Sequence, residues 1–283
     1  MTDVIAIIAP GEMGSAVGRT LREHGARVIT VLDGRSKTSI ARAERAGFAA
    51  VDDSERMAGE ADFVLSIVPP GEAVGLAQQL APVLARAAKK PVYVDCNAVA
   101  PETAVRIGGL LAATGCASVD AAIIGPPPAA SSRTMFYASG DAAPKLLRLA
   151  ELGLRVRVLD APAGAASALK MSYAGITKGL TGLGAVMMLG ASRCGADAAL
   201  RQELAESQPQ LLAWLARQVP SMYPKAYRWV AEMEEIAAFG NGDAAAQQIY
   251  RGLARLYERL ADGRAAADEL AQLSEFCRQA AQR

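Results

Sequence analysis

Val4-Ile5-Ala6-Ile7-Ile8-Ala9-Pro10-Gly11-Glu12-Met13-Gly14 is the segment from which the architecture follows. An apolar, β-branched run is a buried strand, and it passes through Pro10 and Gly11 directly into a helical pattern at Ser15–His24. A strand that turns on glycine into a helix aims the first backbone N–H groups of that helix, and the positive end of its dipole, at whatever lies beyond the turn. Aligned with the pyrophosphate-binding pattern G-x-G-x-x-G, the segment keeps the second and third glycines as Gly11 and Gly14 and has Ala9 in place of the first. Gly11 allows close backbone approach of a pyrophosphate, and Gly14 allows helix to pack on strand. Pro10, Glu12 and Met13 complete the candidate cradle. Ala9 is acceptable there if it keeps ordinary strand dihedrals. The alternative is a plain strand–turn–helix that binds nothing.

Strand and helix patterns alternate from here to residue 160. Strands are expected at Val4–Ala9, Arg27–Leu32, Phe63–Val68, Val92–Asp95, Ala117–Ile123, Thr134–Ala138 and Arg155–Leu159. Helices are expected at Ser15–His24, Ser36–Ala46, Ala73–Arg86, Pro101–Ala113 and Asp141–Glu151. Such alternation predicts an α/β Rossmann domain, doubly wound on a mostly parallel sheet. After Asp160 the composition changes to alanine and leucine with few β-branched runs. Breaks at Gly195-Ala196-Asp197, Gln208-Pro209, Val219-Pro220, Gly240-Asn241-Gly242-Asp243 and Asp262-Gly263 predict about six helices, the first long. Residues 1–162 are therefore expected to form the nucleotide-binding domain and residues 163–283 an all-α domain.

Of the 283 residues, 52% are hydrophobic and 21% charged, and the net charge is +1. The chain can bury a large core, and its charge gives no field that favours nucleic acid or an anionic membrane. Cys96, Cys116, Cys194 and Cys277 are scattered without a Cys-x-x-Cys pair, which predicts neither disulfides nor a metal site and fits a reducing cytoplasm. Asp3 and the absence of basic residues ahead of the first strand argue against a signal peptide. The apolar stretch Gly179–Ala191 is too short to span a bilayer. A soluble, cytoplasmic protein is expected, with neither nucleic acid nor membrane as partner.

Four further segments carry chemistry. Gly34-Arg35-Ser36, with Lys37, ends the second strand where an adenosine ribose would lie. Arginine beside a small hydroxyl suits a 2′-phosphate and favours NADP(H) over NAD(H), while Asp33, one residue early, pulls towards NAD. Ser36 could equally cap the next helix. Val68-Pro69-Pro70 ends the Phe63–Val68 strand at the carboxyl edge, where ligands of open α/β sheets bind, or is a proline-stiffened exit turn. Asn97, at the same edge, faces nicotinamide or substrate, or caps the helix near Pro101. Lys170, among Ala168, Leu169 and Met171, is either a snorkelling surface residue or an amine whose pKa is lowered by desolvation towards neutrality.

In this order and spacing the segments resemble the β-hydroxyacid dehydrogenase superfamily, in its 6-phosphogluconate dehydrogenase-like branch with a distinctive C-terminal helical domain. The resemblance rests on Gly11-Glu12-Met13-Gly14, Gly34-Arg35-Ser36, Ser66-Ile67-Val68-Pro69-Pro70, Asp95-Cys96-Asn97, Asp120-Ala121-Ala122-Ile123-Ile124-Gly125-Pro126 and Gly164 to Lys170. It implies hydride transfer between nicotinamide and a small or medium hydroxy or carbonyl compound, with Lys170 as general acid/base and Ile124, Gly125 and Pro126 lining the substrate. Ile124 stands where the family has a serine, Gly125-Pro126 where it has Gly-Gly, and Tyr173 and Ala174 where it has asparagines. The pocket is thus more apolar, and Tyr173 either replaces the missing amide as a donor or simply packs. The resemblance also implies a homodimer through the helical domain, where Gly175, Gly179, Gly182, Gly184 and Gly190 admit another helix. Glu232 and Glu235 are site candidates or a solvated acidic face, and His24, the lone histidine, is a surface residue at a helix end. The alternatives are an imine reductase, with Tyr173 or Lys170 delivering the proton, and a non-catalytic NADPH-binding protein.

Overall fold

The computed structural model describes residues 2–129, 131–240, 242–264 and 266–281. The strands are β1 (Val4–Ile8), β2 (Arg27–Val31), β3 (Ala49–Val51), β4 (Phe63–Ser66), β5 (Val92–Asp95), β6 (Ser118–Ile124), β7 (Met135–Ser139) and β8 (Val156–Val158). They form one sheet in the order β3-β2-β1-β4-β5-β6-β7-β8. β1 to β6 run parallel, β7 pairs antiparallel with β6, and β8 runs parallel to β7. The helices of this part are α1 (Glu12–Glu23), α2 (Lys37–Ala46), α3 (Ser54–Glu60), α4 (Ala73–Arg86), α5 (Pro101–Ala112) and α6 (Leu147–Glu151).

Successive side chains of a strand point to opposite faces, so a strand covered on both faces must be apolar throughout. β1 meets this condition. Ile5 and Ile7 pack with Val17, Leu21, Leu65, Val94 and Phe136 on one face. Ala6 and Ile8 pack with Ile29, Met57, Val64, Leu84 and Tyr93 on the other. The strand order reverses on either side of β1, with β2 on one side and β4 on the other, which opens a crevice beyond their carboxyl ends.

The helical part comprises α7 (Ala165–Arg193), α8 (Asp197–Ser207), α9 (Pro209–Met222), α10 (Ala226–Phe239), α11 (Ala244–Ala261) and α12 (Ala267–Ala280). The expected break at Val219-Pro220 is displaced. α9 continues through Pro220 to Met222, and the chain turns at Tyr223–Lys225. A proline so near the end of a helix removes one hydrogen bond without stopping the last turn. The break at Gly240–Asp243 separates α10 from α11, with Asn241 outside the described residues. α7 has the length expected of the first helix, from Ala165 to about Arg193. Although its most apolar stretch, Gly179–Ala191, is by itself too short to span a bilayer, the whole is the one described helix long and apolar enough to cross a membrane. Its apolar character has an internal use, since Cβ atoms at Gly175, Gly182 and Gly184 would fall within 2.8 Å of Tyr250, Leu253 or Leu215 of the same chain.

The chain divides into two compact units, Met1–Met171 and Ser172–Arg283. The composition shifts near residue 162, where the strands end, but the first two turns of α7 are hydrogen-bonded into the sheet and stay with it.

The strand geometry expected at Ala9 is overturned. Ala9 is not in strand geometry: its φ is +59°, the left-handed region that L-residues other than glycine avoid. The turn folds back so tightly that the Gly11 N–H donates to the Ala9 carbonyl at 2.7 Å. A Cβ on Gly14 would lie 2.8 Å from that carbonyl oxygen. The first position of the pattern therefore retains its conformational demand for glycine although the residue is alanine. Left-handed alanine costs about 1–2 kcal/mol, and glycine gives back about 0.4–1 kcal/mol through unfolded-state entropy. Ala9→Gly is expected to stabilise the sheet unit by about 0.5–1 kcal/mol, measured as a higher urea midpoint; an unchanged or lower midpoint contradicts the strain.

Candidate active site

The turn before α1 leaves space for a ligand. Gly11 is the N-cap, with no side-chain cap bond to the first turn. A Cβ on Gly11 would meet only the Ala9 carbonyl, at 4.0 Å. The protein's own packing thus demands glycine at Gly14 but not at Gly11, where the missing side chain keeps the helix N-terminus open to an anion. Glu12 sits in the first turn, and the partly buried Met13 packs on the core. This arrangement fits a dinucleotide pyrophosphate.

Two cavities flank the end of β2. One, of about 310 Å³, is lined by Asp33, Arg35, Asp53, Met57 and Gln79 among others. The second, of about 240 Å³, is lined by Arg35, Val68, Glu72, Gly75, Leu76 and Gln79. Gly34 has φ +68° in the turn that brings Arg35 to both cavities. Ser36 is the N-cap of α2, and its Oγ accepts from the Ser39 N–H at 3.2 Å. β3 and α3, which bring Asp53 and Met57 to the first cavity, were not expected from the sequence. Ala49-Ala50-Val51 lacks a β-branched run, and α3 is held by the Asp53 cap and by Arg56 paired with Asp52 and Glu60.

Of the two positions expected for Asn97, the structure excludes the helix cap. α5 is capped at Ala100, not Asn97. Asn97 is 3% exposed, and its amide is consumed internally. Its Oδ1 accepts from the Val68 N–H at 2.7 Å, and its Nδ2 donates to Ser66 Oγ at 2.9 Å and to Asp95 Oδ1. Both amide hydrogens and one Oδ1 lone pair of Asn97 are thus committed to the protein itself. Burial, and secondarily the charge of Asp120, pushes the Asp95 carboxyl up to about 7. Its Oδ2 is buried without a hydrogen-bond partner.

Asp120, in the middle of β6, ties α7 to the sheet. Its Oδ2 accepts from Ser139 Oγ at 2.8 Å, the Gly164 N–H at 2.9 Å and the Ser167 N–H at 3.2 Å, and its Oδ1 accepts from Ser167 Oγ at 2.7 Å. Ser139 Oγ in turn accepts from the Ala166 N–H at 3.0 Å. A carboxylate at the start of a helix also meets the favourable end of its dipole. One turn further along α7, Lys170 is partly buried and its Nζ donates to the Ile123 carbonyl, near the end of β6. Burial lowers its pKa to about 8. Lys170 is therefore not a solvated surface lysine; it is a partly buried amine held by the Ile123 carbonyl.

The segment after β6 is shaped by the hairpin to β7. Ile124 pairs with Met135. Gly125 has φ +131°, and a Cβ there would lie 2.8 Å from Thr134. The Thr134 hydroxyl donates to the Pro126 carbonyl. Gly125 thus serves the hairpin whatever else it does.

In the helical unit Tyr173 is 51% exposed and lines a cavity of about 200 Å³ with Thr177, Lys178, Thr181, Trp214, Gln218 and Trp229. Glu232 is not on a solvated face: it is ion-paired to Lys178, whose ammonium lies 5.1 Å from the centre of the Trp229 ring. This cavity was missed in the sequence because its two tryptophans sit on different helices with no linear spacing to connect them. His24 ends α1, its Nδ1 2.8 Å from the Thr20 carbonyl. Among the described residues no cluster of His, Cys, Asp and Glu could hold a metal, and the four cysteines are free.

Comparison with known proteins bears on both halves of the chain. Residues 4–150 match the model described as the NAD binding domain of 6-phosphogluconate dehydrogenase, and residues 191–260 match a domain of unknown function, DUF1932. A 3-hydroxyisobutyrate dehydrogenase of Pseudomonas aeruginosa is 33% identical over 144 residues, which is 50% of this chain and 47% of that protein. The chain thus aligns with about half the length of that relative. The conserved protein MTH1747, of unknown function and described as structurally similar to 3-hydroxyacid dehydrogenases, superposes with a TM-score of 0.74 at 27% identity, covering 92% of this chain and 98% of that one. The 3-hydroxyisobutyrate dehydrogenase of Mycobacterium tuberculosis, solved with L-serine, gives 0.68 at 19% identity, covering 99% of each chain, and shares the fold.

Proposed function

Because the chain belongs to the β-hydroxyacid dehydrogenase family, we propose that it is an NADP-preferring oxidoreductase that interconverts a hydroxyl and a carbonyl in a small or medium molecule, with Lys170 as its general acid/base. The observation that carries this reading is the Lys170 amine, held by the Ile123 carbonyl at the end of the sheet and lowered by burial to about 8. When bound, the nicotinamide supplies or accepts the hydride. In the oxidative direction neutral Lys170 Nζ takes the proton of the substrate hydroxyl; in the reductive direction its ammonium returns one to the carbonyl oxygen. Gly11, Glu12, Met13 and Gly14, with the uncapped α1 N-terminus, would hold the pyrophosphate, beside Pro10. Val68, Pro69 and Pro70 would form the wall of the crevice. Ile124, Gly125 and Pro126 would bound the substrate, and their lack of a side-chain hydroxyl suits an apolar portion.

Arg35, with Gly34 and Ser36, supports NADP(H), since a guanidinium at this edge matches a 2′-phosphate. A charged hydrogen bond contributes about 1.5–3 kcal/mol, or about 10- to 150-fold in affinity. Arg35→Ala is therefore expected to weaken NADPH binding by that factor and NADH binding by less than about threefold, in fluorescence titrations. Equal weakening of both would contradict the assignment.

The second unit carries an apolar groove of about 370 Å³ lined by Ile176, Gly179, Leu183, Val186, Ile249 and Leu253 among others. Ile176, Leu183 and Ile249 are all exposed, which supports a homodimer through the helical domain. The free cysteines support a cytoplasmic setting. The exposed phenol of Tyr173 supports a second reading, transfer to C=N with Tyr173 or Lys170 delivering the proton. Assaying ketones beside the corresponding imines separates the two.

A further inference from the structure

Val68-Pro69-Pro70 has one backbone donor, the Val68 N–H, because proline has none. That donor does not point to solvent or to a neighbouring strand; it is taken by Asn97 Oδ1 at 2.7 Å. Asn97 can accept there only with its amide in one orientation. Its Nδ2 must then face Ser66 Oγ at 2.9 Å and Asp95 Oδ1, and the structure has both contacts. Asp95 Oδ1 also accepts the Asn97 backbone N–H at 3.1 Å, so the carboxylate fixes backbone and side chain together. With the amide turned over, Oδ1 would face the carboxylate and Nδ2 the Val68 N–H, two repulsive contacts in a site sealed from water. Asp95 and Asn97 are 4% and 3% exposed, so water cannot substitute for either partner. The turn so held leads through the 3-10 segment Pro70–Glu72 into α4. Val68, Glu72, Gly75, Leu76 and Gln79 then form, with Arg35, the 240 Å³ cavity.

We propose that Asp95 and Asn97 are a positioning pair: Asp95 sets the orientation of the Asn97 amide, and the amide locks the Val68–Pro70 turn as a preformed wall of the dinucleotide crevice. This rests on the reading of the crevice as an NADP(H) site, but the lock itself is a property of the protein alone. Neither residue touches the reacting atoms; both act through Val68.

The test uses Asn97→Ala, Asp95→Ala and the conservative Asp95→Asn, whose amide oxygen can still accept both Asn97 N–H groups. Amide hydrogen exchange at Val68 is measured without cofactor, and NADPH affinity by fluorescence titration. Exchange at Val68 is expected to accelerate at least tenfold in Asn97→Ala and Asp95→Ala, with the β4 amide of Leu65 still protected. NADPH affinity is expected to fall at least tenfold in both and to return to within about threefold of wild type in Asp95→Asn. Unchanged exchange at Val68 in both alanine variants overturns the lock. Accelerated exchange with unchanged NADPH affinity overturns its role in positioning. If Leu65 loses protection as well, the pair is a general core element and the proposal is wrong. If wild type binds neither NADPH nor NADH, the cofactor reading fails, and exchange at Val68 still decides the lock.

Discussion

Replacing Lys170 with alanine is expected to lower kcat/KM about 100- to 10,000-fold, the contribution of a positioned general acid/base, while the dissociation constant for NADPH stays within about twofold of wild type. The comparison is made on whichever member of a panel of short 3-hydroxy acids and their ketones the wild-type protein turns over best. The asymmetry between turnover and cofactor affinity separates a proton-transfer role from a fold defect. The direction of the pH profile follows from the lowered pKa. Oxidation needs the neutral amine, so its kcat/KM should rise with pH and level off above about 8. Reduction needs the ammonium, so its rate should fall above the same pH. Both dependences should vanish in Lys170→Ala. Unaltered turnover in the variant, with NADPH still bound, would show that Lys170 is not the general acid/base; NADPH binding by wild type with no turnover of any panel member would leave the protein as a nucleotide-binding module.

Asp120→Ala is expected to destabilise the sheet unit by about 3–5 kcal/mol, because it strands several buried donors at about 1–3 kcal/mol each. The donors are the hydroxyls of Ser139 and Ser167 and the backbone N–H groups of Gly164 and Ser167. The same change frees the first turn of the helix that carries Lys170, so turnover should fall together with stability. Urea unfolding followed by far-UV circular dichroism, with amide exchange at Gly164 and Ser167, measures both parts. A loss below about 1 kcal/mol with both amides still protected would show that the helix is anchored by something else.

The parts of the fold legible in the sequence are those written in apolar periodicity. β1, β2, β4 and β5 are buried on both faces over most of their length and so read as short, largely apolar runs, and the alanine- and leucine-rich second half reads as helix. β3 and α3 escaped because Ala49-Ala50-Val51 is too short and too small for a pattern, and because a cap and ion pairs hold α3 where an apolar stripe would be sought. The geometry of Ala9 was hidden for a different reason. A left-handed φ is normally announced by glycine, and here alanine holds it under strain. At the candidate site, the apolar neighbours of Lys170 pointed to its desolvation as one of two readings, which its burial bears out, while its role came only from the resemblance. The role of Asp120 was not, since its four partners are brought together only by the meeting of β6, β7 and α7. Asn97 was placed at the correct edge of the sheet, but its bond to the Val68 turn was not foreseen and the helix cap proved to be Ala100. Linear sequence locates a polar side chain on an edge; it does not tell which donors the fold brings to it.

Proton transfer by this route requires that the Lys170 amine change its protonation near neutral pH. An NMR titration of the lysine side chains, with Lys170 assigned by its absence from Lys170→Arg, measures this without a substrate. The predicted midpoint is about 8, set apart from the exposed lysines; a midpoint near the ordinary lysine value of about 10.4 would contradict the central claim.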